Sequence, residues 1–186
     1  GQAMDDFRAV METNFFANVA LVNASLPHLL AGPAGRIVFV SSSAGLHGVR
    51  GRTPYSASKG ALNAFALALA AEQARGPVRV NVLLPYADTA MTRTTDAAGD
   101  PRLSPDKVVP AMLALTDPAS MAHGRMVIAG AGSARLAAAM ESATFSARSA
   151  ADMAIVLGQE PMPGPRRFLH AEAAFADFFS EVEAGG

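Results

Sequence analysis

Apolar residues recur every three or four positions between Asp5 and Ala31, at Phe7, Val10, Met11, Phe15, Val19, Val22, Leu26 and Leu29. That spacing lines one face of a helix. Pro27 predicts a kink or an end within it, and Gly32-Pro33 a stop. The pattern then changes: Arg36-Ile37-Val38-Phe39-Val40-Ser41 is a short run rich in β-branched residues, bounded by Gly35 and by a cluster of three serines. It reads as a buried strand. After a loop containing Gly45, Gly48, Gly51 and Pro54, an Ala-rich helix is predicted from Tyr55 to Arg75, ended by Gly76-Pro77. A second strand is expected from Val78 to Leu84, closed by Pro85, and about twenty loop-like residues follow. Ser104-Pro105-Asp106 has the order of a capped helix start, and the helix should run to Leu115. A third strand, Arg125 to Ala129, ends at Gly130-Ala131-Gly132. Beyond Ser133 the chain reads as helical to Leu157, is interrupted by Pro161, Pro163 and Pro165, and resumes as a helix from Phe168 to Val182.

Nearly all-apolar strands alternating with helices indicate an α/β fold, a parallel sheet covered on both faces. Three strands are half of such a sheet. The expected division is residues 1–132 as the sheet-bearing part and 133–186 as a helical, Pro-interrupted extension.

Composition narrows the function classes. Of 186 residues, 40 are Ala, so much of the 51% hydrophobic fraction is small side chains in helices. The longest purely apolar stretch, Ala64 to Ala71, falls far short of the ~18 residues that a membrane span needs. A net charge of -1 with no basic run gives no electrostatic footprint for nucleic acid. The absence of Cys removes disulfides, thiolate nucleophiles and Cys-based zinc sites, and fits a cytoplasmic protein. The four histidines, His28, His47, His123 and His170, contain no i, i+4 pair, so no metal site is expected.

The chemistry concentrates around Tyr55-Ser56-Ala57-Ser58-Lys59. A phenol and an ammonium at i and i+4 lie one turn apart on one helix face. A cation there favours phenolate, which suits a tyrosine for general acid/base work near neutral pH. Taken alone, the pair could equally be two residues on a solvated face. It is not alone: Ser42 lies thirteen residues upstream at the carboxyl end of a strand, where open α/β sheets place their ligand crevice, and Asn14 lies on the preceding helix.

In this order, Asn14, Val40-Ser41-Ser42-x-Ala44-Gly45, Tyr55-x-x-x-Lys59 and Val80-Asn81-x-x-x-Pro85 resemble the short-chain dehydrogenase/reductase family, most densely from Phe7 to Thr92. The resemblance implies a Rossmann-like, doubly wound parallel sheet and hydride exchange between a nicotinamide cofactor, NAD or NADP, and a small-molecule carbonyl/alcohol pair. It also implies roles. Tyr55 gives or takes the proton at the reacting oxygen, and Ser42 hydrogen-bonds that oxygen. Lys59 holds the nicotinamide ribose, and Asn14 binds a water linking Lys59 to solvent. Pro85 and the residues to Thr89 border the cofactor. The two long helices, Val10–Leu30 and Tyr55–Arg75, imply a homo-oligomer.

Two departures stand out. Tyr86 follows Pro85 where the family has Gly, placing a large side chain on the pocket floor. The family's Gly-rich phosphate turn and its Asn-Asn-Ala-Gly segment, which precede the region matched by Asn14, are not in this sequence. At ~30 residues per βαβ unit, the chain corresponds to the catalytic half of the domain, cut internally, with the Arg36 strand as an open edge. Alone it should bind little cofactor. A contrasting expectation is a truncated, non-catalytic scaffold that keeps these residues idle.

Three lookalikes remain. Ser56-x-x-Lys59 matches the S-x-x-K nucleophile motif, but no S-D-N or K-T-G follows. Gly130-Ala131-Gly132 mimics a dinucleotide turn but has Arg135 at the third glycine position, so a plain turn is expected. His47, between Ser42 and Tyr55, is a candidate pocket residue.

Overall fold

The computed structural model describes residues 3–88 and 100–142, with short pieces at 149–150, 153–154, 164–168, 173–174, 176–178 and 180. Two compact units divide at Ala137/Ala138.

The first unit opens with α1 (Met4–Met11) and α2 (Ala17–Ala31), joined without a break through one widened π turn, Glu12–Phe16. A single helix was expected here. The widening follows from Asn14: the Asn18 side chain donates to its carbonyl at 2.9 Å, while the Ala17 N–H reaches back to Glu12. α2 does not end at Pro27 and stops at Gly32.

β1 (Arg36–Val40) leads through the short α3 (Ala44–His47) to α4 (Thr53–Glu72), and β2 (Arg79–Pro85) follows. Next come α5 (Val109–Thr116), β3 (Arg125–Gly130) and β4 (Ser133–Ala137). The order is β1-β2-β3-β4, with the first two pairings parallel and the last antiparallel.

Two expectations are corrected. The sheet has four strands rather than three, and residues 133–137 are a strand rather than the start of a helix. Ala131 (φ 52°) and Gly132 (φ 73°) turn the chain back so that Ser133 pairs with Gly130, and the neighbouring ladder overrides the helix propensity of Ala and Arg. Ser104 caps no α-helix either. Pro105–Lys107 forms a 3-10 turn, and α5 begins only at Val109, beside Pro110. The helices expected toward Leu157 and from Phe168 fall mostly outside the described residues.

Burial on both faces explains why β2 is apolar from Val80 to Leu84 except at Asn81. Val80, Val82 and Leu84 face a core with Leu62, Ala66, Leu69 and Ala70 of α4 and Val22 of α2. Leu83 joins Val108 and Leu115 on the opposite face, by α5. This is a sheet buried on both sides. β1 pairs on one edge only, with β2, and Val40 at its end is exposed.

Polar clamps fix the amino ends of the strands. The Nδ1 of His123 accepts from the Val80 N–H at 3.2 Å, so its ring hydrogen sits on Nε2, which donates to the Ala70 carbonyl at 2.8 Å. The buried Asn81 amide donates to the Ala122 carbonyl, and its oxygen accepts from the Arg125 N–H.

In the second unit, Glu141 and Arg166 pair antiparallel, and the Arg166 guanidinium holds Asp177 at 2.8 Å.

Candidate active site

The carboxyl end of β1 and the first turns of α4 are held together through the segment between them. Ser41 extends the ladder, donating its N–H to the Leu83 carbonyl at 2.8 Å, while its hydroxyl reaches the Lys59 carbonyl at 3.3 Å. The Ser42 hydroxyl accepts from the Ala44 N–H at 3.1 Å and so opens α3.

α3 packs directly on the α4 backbone. A Cβ on Gly45 would lie 2.5 Å from the Lys59 carbonyl carbon and 2.6 Å from the Gly60 nitrogen. Only a glycine lets the two helices approach this closely. The loop is pinned again where the Ser56 hydroxyl accepts from the Val49 N–H at 3.1 Å. That bond accounts for the serine of the S-x-x-K lookalike.

Tyr55 and Lys59 occupy successive turns of α4, with the Lys59 ammonium 5.9 Å from the Tyr55 ring centre. Its Nζ donates to the Val40 carbonyl at 3.2 Å. No acidic residue occurs between Glu12 and Glu72, so no neighbour in sequence neutralises this cation. Burial lowers the Lys59 pKa from its ordinary 10.5, since desolvation disfavours the charged form. An ammonium has three donors, and the one carbonyl leaves Lys59 able to bind hydroxyls such as those of a ribose.

Asn14 is tied to this pair through a residue that the sequence did not single out. Its side-chain amide donates to the hydroxyl of the fully buried Ser58 at 3.1 Å, and Ser58 donates to the Tyr55 carbonyl at 2.8 Å. A small polar residue between Tyr55 and Lys59, on the core side of an otherwise Ala- and Leu-rich helix, was the available signal.

The structure thus links Asn14, Tyr55 and Lys59 through α4. Ser42 stands on the adjoining segment and makes no direct hydrogen bond to Tyr55. Pro85 ends β2, and the Tyr86 N–H continues the ladder to the Ala129 carbonyl at 2.7 Å. Thr89 lies outside the described residues. His47 is exposed at the end of α3. Gly130-Ala131-Gly132 joins two antiparallel strands with no helix after it, so it offers no helix N-terminus to a phosphate. Among the described residues no group of three His, Asp or Glu could hold a metal.

Residues 2–99 match the family model described as short chain dehydrogenase. The chain belongs to this family. Over 91 residues it is 41% identical to a dehydrogenase/reductase SDR family protein 7-like of Anopheles gambiae, covering 48% of this chain and 29% of that protein. It is 39% identical over 90 residues to human 3-oxoacyl-[acyl-carrier-protein] reductase, covering 48% of this chain and 38% of that one. The chain therefore spans well under half the length of these relatives. Among solved structures, a peroxisomal multifunctional enzyme type 2 from Drosophila melanogaster superposes with a TM-score of 0.82 at 21% identity, over 97% of this chain and 34% of that one. At that identity it supports the α/β fold alone. A short chain dehydrogenase from Escherichia coli CFT073, complexed with NADPH, aligns with a TM-score of 0.61 at 33% identity, over 68% of this chain and 54% of that one.

Two outcomes test this geometry. Gly45→Ala should destabilise the chain by ~1–3 kcal/mol in urea unfolding, because the new methyl meets backbone that cannot yield. Gly60→Ala, whose Cβ would sit 3.4 Å from the Gly45 carbonyl, should cost nothing or stabilise; equal losses would contradict the packing. Lys59 sets a pH dependence. The unfolded chain keeps the lysine proton up to about 10.5, whereas the folded chain releases it earlier, so the unfolded state binds more protons in that window and stability rises with pH. Wild type should therefore gain on Lys59→Met as pH climbs toward 10.5, and a flat or falling difference in unfolding free energy would contradict the burial.

Proposed function

We propose that this chain supplies the proton-transfer machinery of an NAD(P)-dependent oxidoreductase that interconverts a small-molecule carbonyl and its alcohol. The observation that carries the reading is the Tyr55–Lys59 pair, a phenol beside a half-buried ammonium held by a single carbonyl, braced through Ser58 to Asn14. Family membership supports it, as does the NADPH of the Escherichia coli neighbour.

In this reading the Tyr55 hydroxyl donates its proton to the carbonyl oxygen during reduction and recovers it during oxidation. Ser42 hydrogen-bonds the same oxygen and fixes its position. Lys59 has two tasks: its free N–H donors hold the ribose hydroxyls of the nicotinamide nucleotide, and its charge favours the tyrosinate left after proton transfer. Asn14 positions a water through which Lys59 exchanges protons with solvent. The bound nicotinamide supplies or accepts the hydride. Pro85 and Tyr86 form the cofactor-side border, with Tyr86 standing where the family has Gly.

The relatives are longer than this chain, and the reading places the cradle for the nucleotide phosphates in sequence preceding Asn14. A homo-oligomer through α2 and α4 belongs to the same reading, supported by the exposed Phe16, Leu21 and Leu30. So does a cytoplasmic location. Among the described residues no helix is long and apolar enough to cross a membrane.

In the full-length polypeptide that carries this segment, Tyr55→Phe should lower kcat by at least ~10²-fold, since it removes the general acid/base. The urea midpoint should stay near that of wild type. Unchanged turnover in a folded Tyr55→Phe protein would overturn the proposal and favour an idle scaffold.

A further inference from the structure

At the carboxyl ends of β2 and β3 lies a cleft of about 140 Å³ lined by Tyr86, Ile128, Gly130, Ser133, Ala134 and Arg135. Its construction follows from register. Ser133 pairs with Gly130 and Arg135 with Ile128, so the side chains of Ser133 and Arg135 share a sheet face with Ile128. Further along, that face is the one covered by α4.

Tyr86 forms the opposite wall, and Gly130 is what admits it. A Cβ at position 130 would lie 2.8 Å from both the Cβ and the carbonyl oxygen of Tyr86. The family's Gly is therefore replaced here by a Tyr whose room comes from a glycine on the neighbouring strand. The exchange builds a wall, carrying a phenol, where the family has bare backbone.

The polar groups lining this cleft are of one kind. Arg135 brings five N–H donors in a planar fork, and Ser133 and Tyr86 bring hydroxyls that can also donate. No acidic side chain lines the cleft, and among the described residues none pairs with Arg135. A fork with flanking hydroxyls and no counter-charge matches a carboxylate or phosphate. The size matches too: whole drug-sized ligands need roughly 300–1,000 Å³, whereas this cleft takes a single end group. An exposed arginine on an edge strand also discourages edge-to-edge pairing, but that task needs neither a cleft nor Tyr86.

We propose that the Tyr86–Ser133–Arg135 cleft is a subsite for an oxyanion, a carboxylate or phosphate carried on the substrate away from its reacting carbon, with Arg135 setting the specificity. That the oxyanion belongs to a substrate rests on the oxidoreductase reading. Anion binding itself does not, and it is tested separately.

The test is an NMR titration of the isotopically labelled 186-residue chain with sodium acetate and, separately, sodium phosphate, at constant ionic strength set with chloride. Saturable shifts are expected at the amides of Gly130, Ser133 and Arg135. Arg135→Gln should weaken binding at least tenfold, and Arg135→Lys, which keeps the charge but loses the fork, by less. Tighter saturation by acetate identifies a carboxylate, and tighter saturation by phosphate identifies a phosphate. Unsaturable shifts with both anions, or equal binding by Arg135→Gln and wild type, overturn the proposal. The anion titration of Tyr55→Phe should match wild type, so loss of the oxidoreductase reading and loss of this subsite register in different experiments.

Discussion

The contact on which the site depends is the approach of Gly45 to the backbone of α4 at Lys59 and Gly60. Ser42 comes from the end of a strand and Tyr55 from the start of a helix, and twelve residues of chain lie between them. A loop of that kind would ordinarily hold its ends loosely. Here it folds into α3, lies flat on α4 because position 45 has no side chain, and is pinned by the Ser41 hydroxyl and by Ser56. Strand end and helix start thereby become one rigid corner.

α4 is in turn seated by forces that have nothing to do with catalysis. Leu62, Ala66, Leu69 and Ala70 press it onto β2, and His123 ties its far end to the start of that strand. Leucine and alanine share the buried stripe, with Leu62 and Leu69 beside Ala66 and Ala70. The fully buried Ser58 then faces Asn14, and a hydrogen bond replaces what would otherwise be an apolar contact. The polar connection lies on the core side of the helix, while Lys59 keeps partial access to solvent.

How much of this was legible follows from the range of the interactions involved. The three parallel strands announced themselves as β-branched runs buried on both faces, and α4 by its Ala-rich stretch closed with Gly-Pro. Tyr55 and Lys59 were legible because an i, i+4 relation is fixed by the helix itself. The π turn at Asn14, where the Asn18 side chain takes the carbonyl, was not, and neither was the bond from Asn14 to Ser58, a residue 44 positions away. β4 was hidden for a similar reason: Ser-Ala-Arg-Leu-Ala favours helix locally, and only the partner strand makes it extended. The role of Gly45 was invisible because a sequence does not say which backbone a glycine will meet. The Gly130–Tyr86 exchange shows the same limit at the edge of the candidate pocket.

If Tyr55 and Lys59 work as a single proton-transfer unit, their losses must not add. The decisive measurement is a double-mutant cycle on kcat at saturating cofactor and substrate in the full-length polypeptide, which sets aside the ribose-binding task of Lys59, using Tyr55→Phe, Lys59→Met and the pair together. The account predicts that the double variant is scarcely slower than Tyr55→Phe alone, as for residues that act as a unit. Losses that multiply independently would contradict it.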